Sequence, residues 1–157
     1  MANTYTQITI QVVFAVKHRE RVIKKDHRPE LYKYIAGIIN NKKHKLLAIN
    51  GVADHVHILF GLDPSVALSD IVRDIKNNSS RFINEKRWMS GHFEWQAGYG
   101  GFSYSRSERG DVIRYIENQE EHHKRGSFRE EYLKVLDEFE IEFSDQYLFD
   151  FFDDVNS

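Results

Sequence analysis

The chain has no cysteine among its 157 residues. That absence excludes disulfide bonds, zinc sites built on thiolates and catalysis by a thiol. The sequence also has no apolar run near the ~18 residues of a membrane-spanning helix, and its opening, MANTYTQITIQ, lacks the basic-then-apolar pattern of a secretory signal. The sequence therefore predicts a cytoplasmic protein that does not associate with membranes.

A strong excess of either charge is also missing, since 22 basic and 24 acidic residues give a formal net charge of −2. This balance argues against indiscriminate binding of nucleic acid. The charges are unevenly distributed, however. Residues 17–28 (KHRERVIKKDHR) are strongly basic, whereas much of the acid follows Glu130 and ends in DFFDDVNS. A basic face fits a polyanionic ligand, and it is equally compatible with ordinary solvated surface.

Hydrophobic spacing predicts the elements of an α+β fold. Apolar and polar residues alternate over 5–16, as in a strand with one buried face. The runs HKLLAIN and HVHILFGL flank a short turn and predict a β-hairpin. The other predicted elements are helices at about 29–42, 69–85, 109–123 and 127–139, and short aromatic strands within 88–105. Their order predicts an antiparallel sheet of ferredoxin-like βαββαβ type with the helices packed on one face.

Two histidines lie one residue apart in the segment ADHVHILF, within the second strand of this hairpin. Side chains alternate between the two faces of a strand, so His55 and His57 point to the same side while Val56 and Ile58 point to the other. Two imidazoles this close bind one cation if their ring nitrogens converge. The alternative is a solvent-facing pair of polar residues on a half-buried strand, and the spacing alone leaves both interpretations open.

The third predicted helix carries the segment YIENQEEHH. Tyr115 and Gln119 are four residues apart and share a helix face. Alone, the tyrosine is more often a packing residue and the glutamine a solvated one. With a metal on His55 and His57, however, a phenol on an adjacent helix could attack a polarised phosphodiester. Gln119 could then supply a third, neutral oxygen ligand, and imidazole with oxygen donors suits Mg²⁺ or Mn²⁺.

At this point the sequence resembles a known family, the single-tyrosine HUH transposases of insertion sequence 200/605 elements and their REP-associated relatives. The resemblance covers nearly the whole chain. It is carried by VFAVKHRERVI, DHVHILF, GYGGFSYS and YIENQEEHH, the last followed by SFREEYLKVLDEFEIEFSDQYLF. The histidine–hydrophobe–histidine strand and the Tyr-x-x-x-Gln helix are specific in combination, although either alone is a weak signal.

The resemblance implies roles for four residues. His55 and His57 match the pair that binds the divalent metal, Tyr115 matches the nucleophile, and Gln119 matches the metal ligand one turn later. The implied activity is that of a transposase that binds hairpin-containing single-stranded DNA at element ends and cleaves and rejoins it through a 5′-phosphotyrosine. The implied fold is a sheet like that of the RNA-recognition motif. The implied assembly is a homodimer whose tyrosine helix can complete the partner's site.

The same comparison of motifs predicts one HUH transposase domain over residues 1–157, with a short acidic tail from about residue 145. Candidate contacts to DNA phosphates are basic residues after the first strand or on the second helix, with simple solvation as the alternative: Lys17, His18, Arg19, Arg21, Arg73, Lys76 and Arg81. A domesticated, non-catalytic nucleic-acid-binding protein of the same fold is the alternative function, although binding alone needs neither Tyr115 nor Gln119. A metal-binding structural protein would leave the basic segment and the tyrosine helix unexplained.

Overall fold

A computed structural model describes residues 3–123 and 127–141 of the chain. These residues form one four-stranded sheet, with strands β1 (Thr9–Ala15), β2 (Lys45–Gly51), β3 (His55–Gly61) and β4 (Gly100–Tyr104). The spatial order is β2-β3-β1-β4, and each neighbouring pair is antiparallel. The α+β class and the ferredoxin-like order predicted from the sequence are therefore confirmed. The predicted acidic tail lies outside the described residues.

The helices pack on both faces of the sheet. Within the described residues they are α1 (Arg28–Asn41), α2 (Leu68–Lys86), α3 (Arg109–Glu117), α4 (Gln119–His123) and α5 (Phe128–Glu138). α1 and α2 cover one face, and α3 to α5 cover the other. The prediction that all helices lie on one face was wrong, because β1 and β3 are buried on both sides and need a cover on each. None of the helices in this part of the chain is long and apolar enough to cross a membrane.

Alternate residues of the central strands divide the interior into separate cores. Val12 and Phe14 of β1 and Ile58 of β3 face α1 and α2 and belong to the main core. Val13 and Ala15 face the opposite side, where they pack with residues of β4 and α5. Burying an aliphatic or aromatic side chain of this size stabilises the fold by ~1.5–3 kcal/mol. The second face is thus a packed surface, and the two histidines of β3 lie on it.

The predicted helix over 109–123 is interrupted. α3 ends at Glu117, Asn118 adopts a non-helical conformation, and α4 begins at Gln119. Asn50 of β2 donates a hydrogen bond from Nδ2 to the backbone carbonyl of Glu117, at 2.9 Å. A carbonyl in the last turn of α3 is thereby satisfied by the sheet rather than by a continuing helix. Likewise, the aromatic segment 88–105 holds one strand, β4, and an isolated bridge between Trp95 and Val16.

Candidate active site

His55 and His57 project from β3 toward the layer formed by α3 to α5. Their residues are 0% and 2% exposed, and their cross-strand neighbours on β1 are Ala15 and Val13. The burial removes the interpretation of a solvent-facing pair. The ring centres of the two histidines are 5.3 Å apart, so one ion between them is sterically reasonable.

Both imidazoles are held at Nδ1 by an acceptor. Asp54 Oδ1 lies 2.8 Å from His55 Nδ1, and Gln11 Oε1 lies 2.9 Å from His57 Nδ1. The amide of Gln11 is itself oriented, since its Nε2 donates to the hydroxyl of Tyr104 at 2.8 Å. Because a carboxylate or amide oxygen only accepts, each Nδ1 carries the proton and donates it. Nε2 of each ring is then the nitrogen with the lone pair that a metal needs.

A carboxylate that the sequence analysis did not identify completes this group. Oε1 of Glu131, on α5, lies 2.9 Å from Nε2 of His57. One donor atom from each of His55, His57 and Glu131 lies within 4.8 Å of the others. With Nδ1 of His57 donating to Gln11, its Nε2 and the carboxylate oxygen present two lone pairs to each other. Such an approach is unfavourable unless a proton or a cation bridges the two atoms.

The spacing of these atoms suits a divalent cation with oxygen and nitrogen ligands. Adjacent ligands of an octahedral ion with bonds of ~2.1 Å are about 3.0 Å apart, close to the separation between His57 and Glu131. A set of two imidazoles and one carboxylate, with no thiolate, is a common ligand set for divalent transition-metal ions. The residues present therefore fit a metal site.

Gln119, predicted as the third ligand, lies next to this group and is completely buried. Its Nε2 is 3.5 Å from both the carbonyl oxygen of Tyr115 and Oε1 of Glu131. Its Oε1 is buried and accepts no hydrogen bond from residues 3–123 or 127–141. A buried amide oxygen without a donor is costly, so a cation beside Glu131 would also satisfy Gln119.

Tyr115 lies at the edge of the metal group. Its ring centre is 6.1 Å from that of His57, and the ring packs with Leu59 and Ile116 in a small core. Burial, followed by the charge of Glu131 and a hydrogen bond to it, raises the pKa of the Tyr115 phenol well above its ordinary value; a hydrogen bond with Gln119 offsets only part of this. The phenol is therefore protonated in the metal-free protein, and its use as a nucleophile requires help in losing that proton.

A cleft of about 470 Å³ connects this group with the surface. It lies between α3 and α5, with Gln11 and Tyr104 of the sheet, Tyr115 and Glu131 among its lining residues. The cleft gives a substrate a route to the side of the site that carries the phenol and the carboxylate.

Glu131 was not predicted from the sequence, although its position beside the apolar stripe of α5 is informative. Phe128, Tyr132 and Leu136 form the buried stripe of α5. Glu131 is three residues after Phe128 and adjacent to Tyr132, which places an acidic side chain at the edge of an apolar stripe. A carboxylate at such a position needs a buried partner. Periodicity does not show that the partner is a histidine of β3.

Arg19, predicted to contact DNA, is instead buried, and this is a correction. Only 3% of the residue is exposed, and its Nε lies 3.1 Å from Oδ2 of Asp54. Lys76 is also engaged: its Nζ donates to the carbonyls of Gln96 at 2.8 Å and Gly98 at 2.6 Å. Burial lowers the pKa of Lys76 to about 8. Arg19 is thus held within the fold and does not present its charge to a phosphate, whereas Lys76 is only half-buried and its contact with DNA stays a prediction.

The other basic candidates are exposed: Lys17, His18, Arg21, Arg73 and Arg81. Lys17 makes a surface ion pair with Glu94 at 2.8 Å, and Arg73 lies 3.4 Å from Asp70. Arg73 and Arg81 belong to α2, which covers the face of the sheet opposite the histidines. The structure therefore places Arg73 and Arg81 away from the metal group.

Comparisons with known proteins identify the family and support the fold. The family model described as IS200-like transposase matches residues 4–119. The ISDra2 transposase TnpA of Deinococcus radiodurans is 26% identical over 120 residues, which cover 72% of this chain and 84% of the relative.

Two solved structures share the fold. A crystal structure of a Deinococcus radiodurans protein assigned as a transposase superposes with a TM-score of 0.58 at 24% identity, covering 76% of this chain and 96% of the other. A REP-associated tyrosine transposase bound to a REP hairpin gives a TM-score of 0.56 at 14% identity, covering 75% of this chain and 70% of the other. At these identities the two structures support the fold alone.

The four-stranded antiparallel sheet with helices packed on it is the fold that this chain shares with these two solved structures. The chain belongs to the IS200-like transposase family, because the family model spans 4–119 of its 157 residues.

Proposed function

We propose that this protein is a metal-dependent DNA transposase that cleaves and rejoins single-stranded DNA through Tyr115. The observation that carries the proposal is the convergence of His55, His57 and Glu131, whose donor atoms lie within 4.8 Å of one another beside that phenol. A non-catalytic nucleic-acid-binding protein of the same fold would not need this arrangement. Glu131 is an addition to the predicted ligand set of two histidines and Gln119.

The residues of the site have complementary roles in this reaction. His55, His57 and Glu131, with Gln119 beside them, would hold Mg²⁺ or Mn²⁺. When bound, the ion supplies Lewis-acid polarisation of the scissile phosphate. Asp54 and Gln11 keep the lone pair of each imidazole on Nε2 by accepting the Nδ1 proton.

The covalent step exchanges one phosphate ester for another. The hydroxyl oxygen of Tyr115 forms a bond to phosphorus while the bond between phosphorus and the 3′ oxygen breaks. The phenol loses its proton to the surroundings, and the departing 3′ oxygen gains one. The product is a 5′-phosphotyrosine that retains an ester bond, so attack by a 3′ hydroxyl in the reverse direction rejoins a strand without an external energy source.

The DNA partner that we propose is a single strand with a hairpin. Support comes from the family and from the structural relative whose solved complex contains a REP hairpin. The proposed phosphate contacts are the exposed residues Lys17, His18, Arg21, Arg73 and Arg81 and the half-buried Lys76, whereas the buried Arg19 is not among them.

Homodimerisation is also a proposal. The sheet has two edge strands within the described residues, β2 and β4, and unpaired edges of this kind are able to join two copies. Whether β2 or β4 forms the interface between the two copies, Tyr115 and His57 are adjacent within one chain. The cytoplasmic location remains a prediction from the sequence.

The proposed function is tested by cleavage of labelled single strands taken from the DNA that flanks the protein's own gene. The wild type should nick a hairpin-containing strand in Mn²⁺ or Mg²⁺ and stop when a chelator is added. His57→Ala should be inactive, while Lys33→Ala, on the exposed surface of α1, should be fully active. Cleavage by the His57→Ala variant, or by the wild type in excess chelator, would contradict the proposal.

A further inference from the structure

The loop that follows β1 contains two consecutive residues in the left-handed backbone region. His18 has φ 59° and Arg19 has φ 51°, and neither is glycine. Residues with a Cβ avoid this region, so two in succession persist only where the surrounding structure compensates. The loop is tied to the turn before β3, since the backbone N–H of Val16 donates to Asp54 at 2.8 Å and that of Ile23 donates to Ala53 at 3.0 Å.

This backbone conformation directs Arg19 into the protein rather than into solvent. The side chains of Arg19 and Asp54 are only 4% and 6% exposed, and they form an ion pair at 3.1 Å through Nε and Oδ2. Asp54 is thus a buried carboxylate whose two oxygens are bound by two different partners.

Arg19 contacts two groups that restrain the ring of His55. These are the carboxylate of Asp54 and the ring of Phe128. Oδ1 of Asp54 lies 2.8 Å from Nδ1 of His55. The ring of Phe128 stacks on His55 with centres 3.9 Å apart and an angle of 13° between the planes. The guanidinium carbon of Arg19 lies 5.6 Å from the ring centre of Phe128. Arg19 therefore contacts both of these neighbours of His55.

We propose that Arg19 is a positioning residue that acts through Asp54 to fix the tautomer and the orientation of His55. The metal-binding consequence rests on the proposed function, whereas the tautomer is a property of the metal-free protein. The Nε–H of Arg19 donates to Oδ2, so this charge-assisted hydrogen bond restrains the carboxylate while Oδ1 accepts from His55. The loop after β1, which the sequence predicts to bind DNA, would then help to orient His55 through the buried side chain of Arg19.

The test is long-range ¹H–¹⁵N NMR of the histidine rings in the metal-free protein, together with Mn²⁺ titration. His55 should carry its proton on Nδ1 in the wild type. Arg19→Gln and Asp54→Asn should shift His55 toward a mixture of tautomers and weaken Mn²⁺ binding by roughly 10–100-fold, the range typical of residues that orient metal ligands. Glu20→Gln is the matched control, since that exposed residue directly follows Arg19 in the same loop and should change neither measurement.

The outcomes separate this inference from the proposed function. Folded Arg19→Gln and Asp54→Asn proteins with the wild-type tautomer and Mn²⁺ affinity would overturn the inference, as would a wild-type His55 protonated on Nε2. If Arg19→Gln does not fold, as a thermal melt will show, Arg19→Lys takes its place. Lysine retains the charge but not the Nε–H that binds Oδ2, so a partial shift of the tautomer is expected and an unchanged tautomer counts against the role. A wild type that binds no Mn²⁺ contradicts the proposed function, and the tautomer of His55 still decides the inference.

Discussion

Glu131 changes the interpretation of the metal site from a neutral ligand set to one that carries a negative charge. Its carboxylate faces His57 at 2.9 Å, whereas the amide of Gln119 approaches Glu131 only at 3.5 Å. We expect Glu131→Gln to weaken Mn²⁺ binding by at least about tenfold, since an anionic ligand is replaced by a neutral one. Glu130→Gln is the control, because that residue is exposed on the same helix. Calorimetric titration measures both, and equal affinities of the two variants would exclude Glu131 from the ligand set.

The raised pKa of Tyr115 predicts a measurable effect at alkaline pH. An unfolded tyrosine ionises near ~10, whereas the buried phenol keeps its proton to higher pH. The contribution of the protonated phenol to the free energy of unfolding is thus complete below about pH 10. It declines at higher pH, because the unfolded state releases the proton while the folded state retains it. Tyr115→Phe should therefore lose stability less steeply than the wild type above pH 10. Urea unfolding from pH 8 to 11 measures this slope, and identical slopes would mean that Tyr115 ionises normally.

The residues of the site differ in how far the sequence reveals them. His55, His57, Tyr115 and Gln119 lie in two short local patterns, and the structure brings these patterns together. Arg19 was assigned to the wrong role because a basic stretch looks the same whether a side chain points outward or inward. Its inward direction depends on two left-handed residues and on Asp54, 35 residues away. Local spacing contains neither piece of information.

At the scale of elements, α5 packs closely on β4 on the face that carries the site. A Cβ built on Gly100 would lie 2.6 Å from the hydroxyl of Tyr132 and 2.9 Å from the ring of Phe102. Gly100→Ala should therefore destabilise the protein by ~1–3 kcal/mol through overpacking. Gly37→Ala in α1 should have the opposite sign, since its Cβ would meet nothing within 4 Å and alanine is favoured in a helix by ~1 kcal/mol.

Urea unfolding of these two glycine variants measures the difference directly. Comparable stabilities would show that α5 moves away from β4 without cost. That result would also weaken the assignment of Glu131, which reaches His57 only while α5 stays on the sheet.

The elements themselves were largely predictable, and their ends and packing were not. Alternation and helical periodicity located the strands and most of the helices, because these patterns are local. The break at Asn118 was missed, since the carbonyl of Glu117 is bound by Asn50, 67 residues earlier in the chain. The packing of helices on the second face of the sheet was also not predicted. Here the buried alternate residues of β1, such as Val13 and Ala15, were the available signal.

At the scale of the whole molecule, one chain supplies every residue proposed for catalysis. Tyr115 and His57 are 6.1 Å apart between ring centres without any contribution from a second copy. A mixture of Tyr115→Phe and His57→Ala proteins should consequently remain inactive, because no protomer contains both groups. Recovery of cleavage in the mixture would show that the tyrosine helix works on the partner's site. Mixing wild type with either variant is the control and should leave the wild-type activity in proportion to its share.

The central claim is that Tyr115 attacks the phosphate from beside the metal group. The most direct measurement is to incubate the wild type with a 5′- and 3′-labelled hairpin strand and Mn²⁺, isolate the covalent protein–DNA adduct, and sequence the modified peptide. The account predicts an adduct that retains the 5′ phosphate side of the cleaved strand, maps to Tyr115, requires the metal and is absent from Tyr115→Phe. An adduct on another residue such as Tyr104, or one formed by the Tyr115→Phe protein, would contradict it.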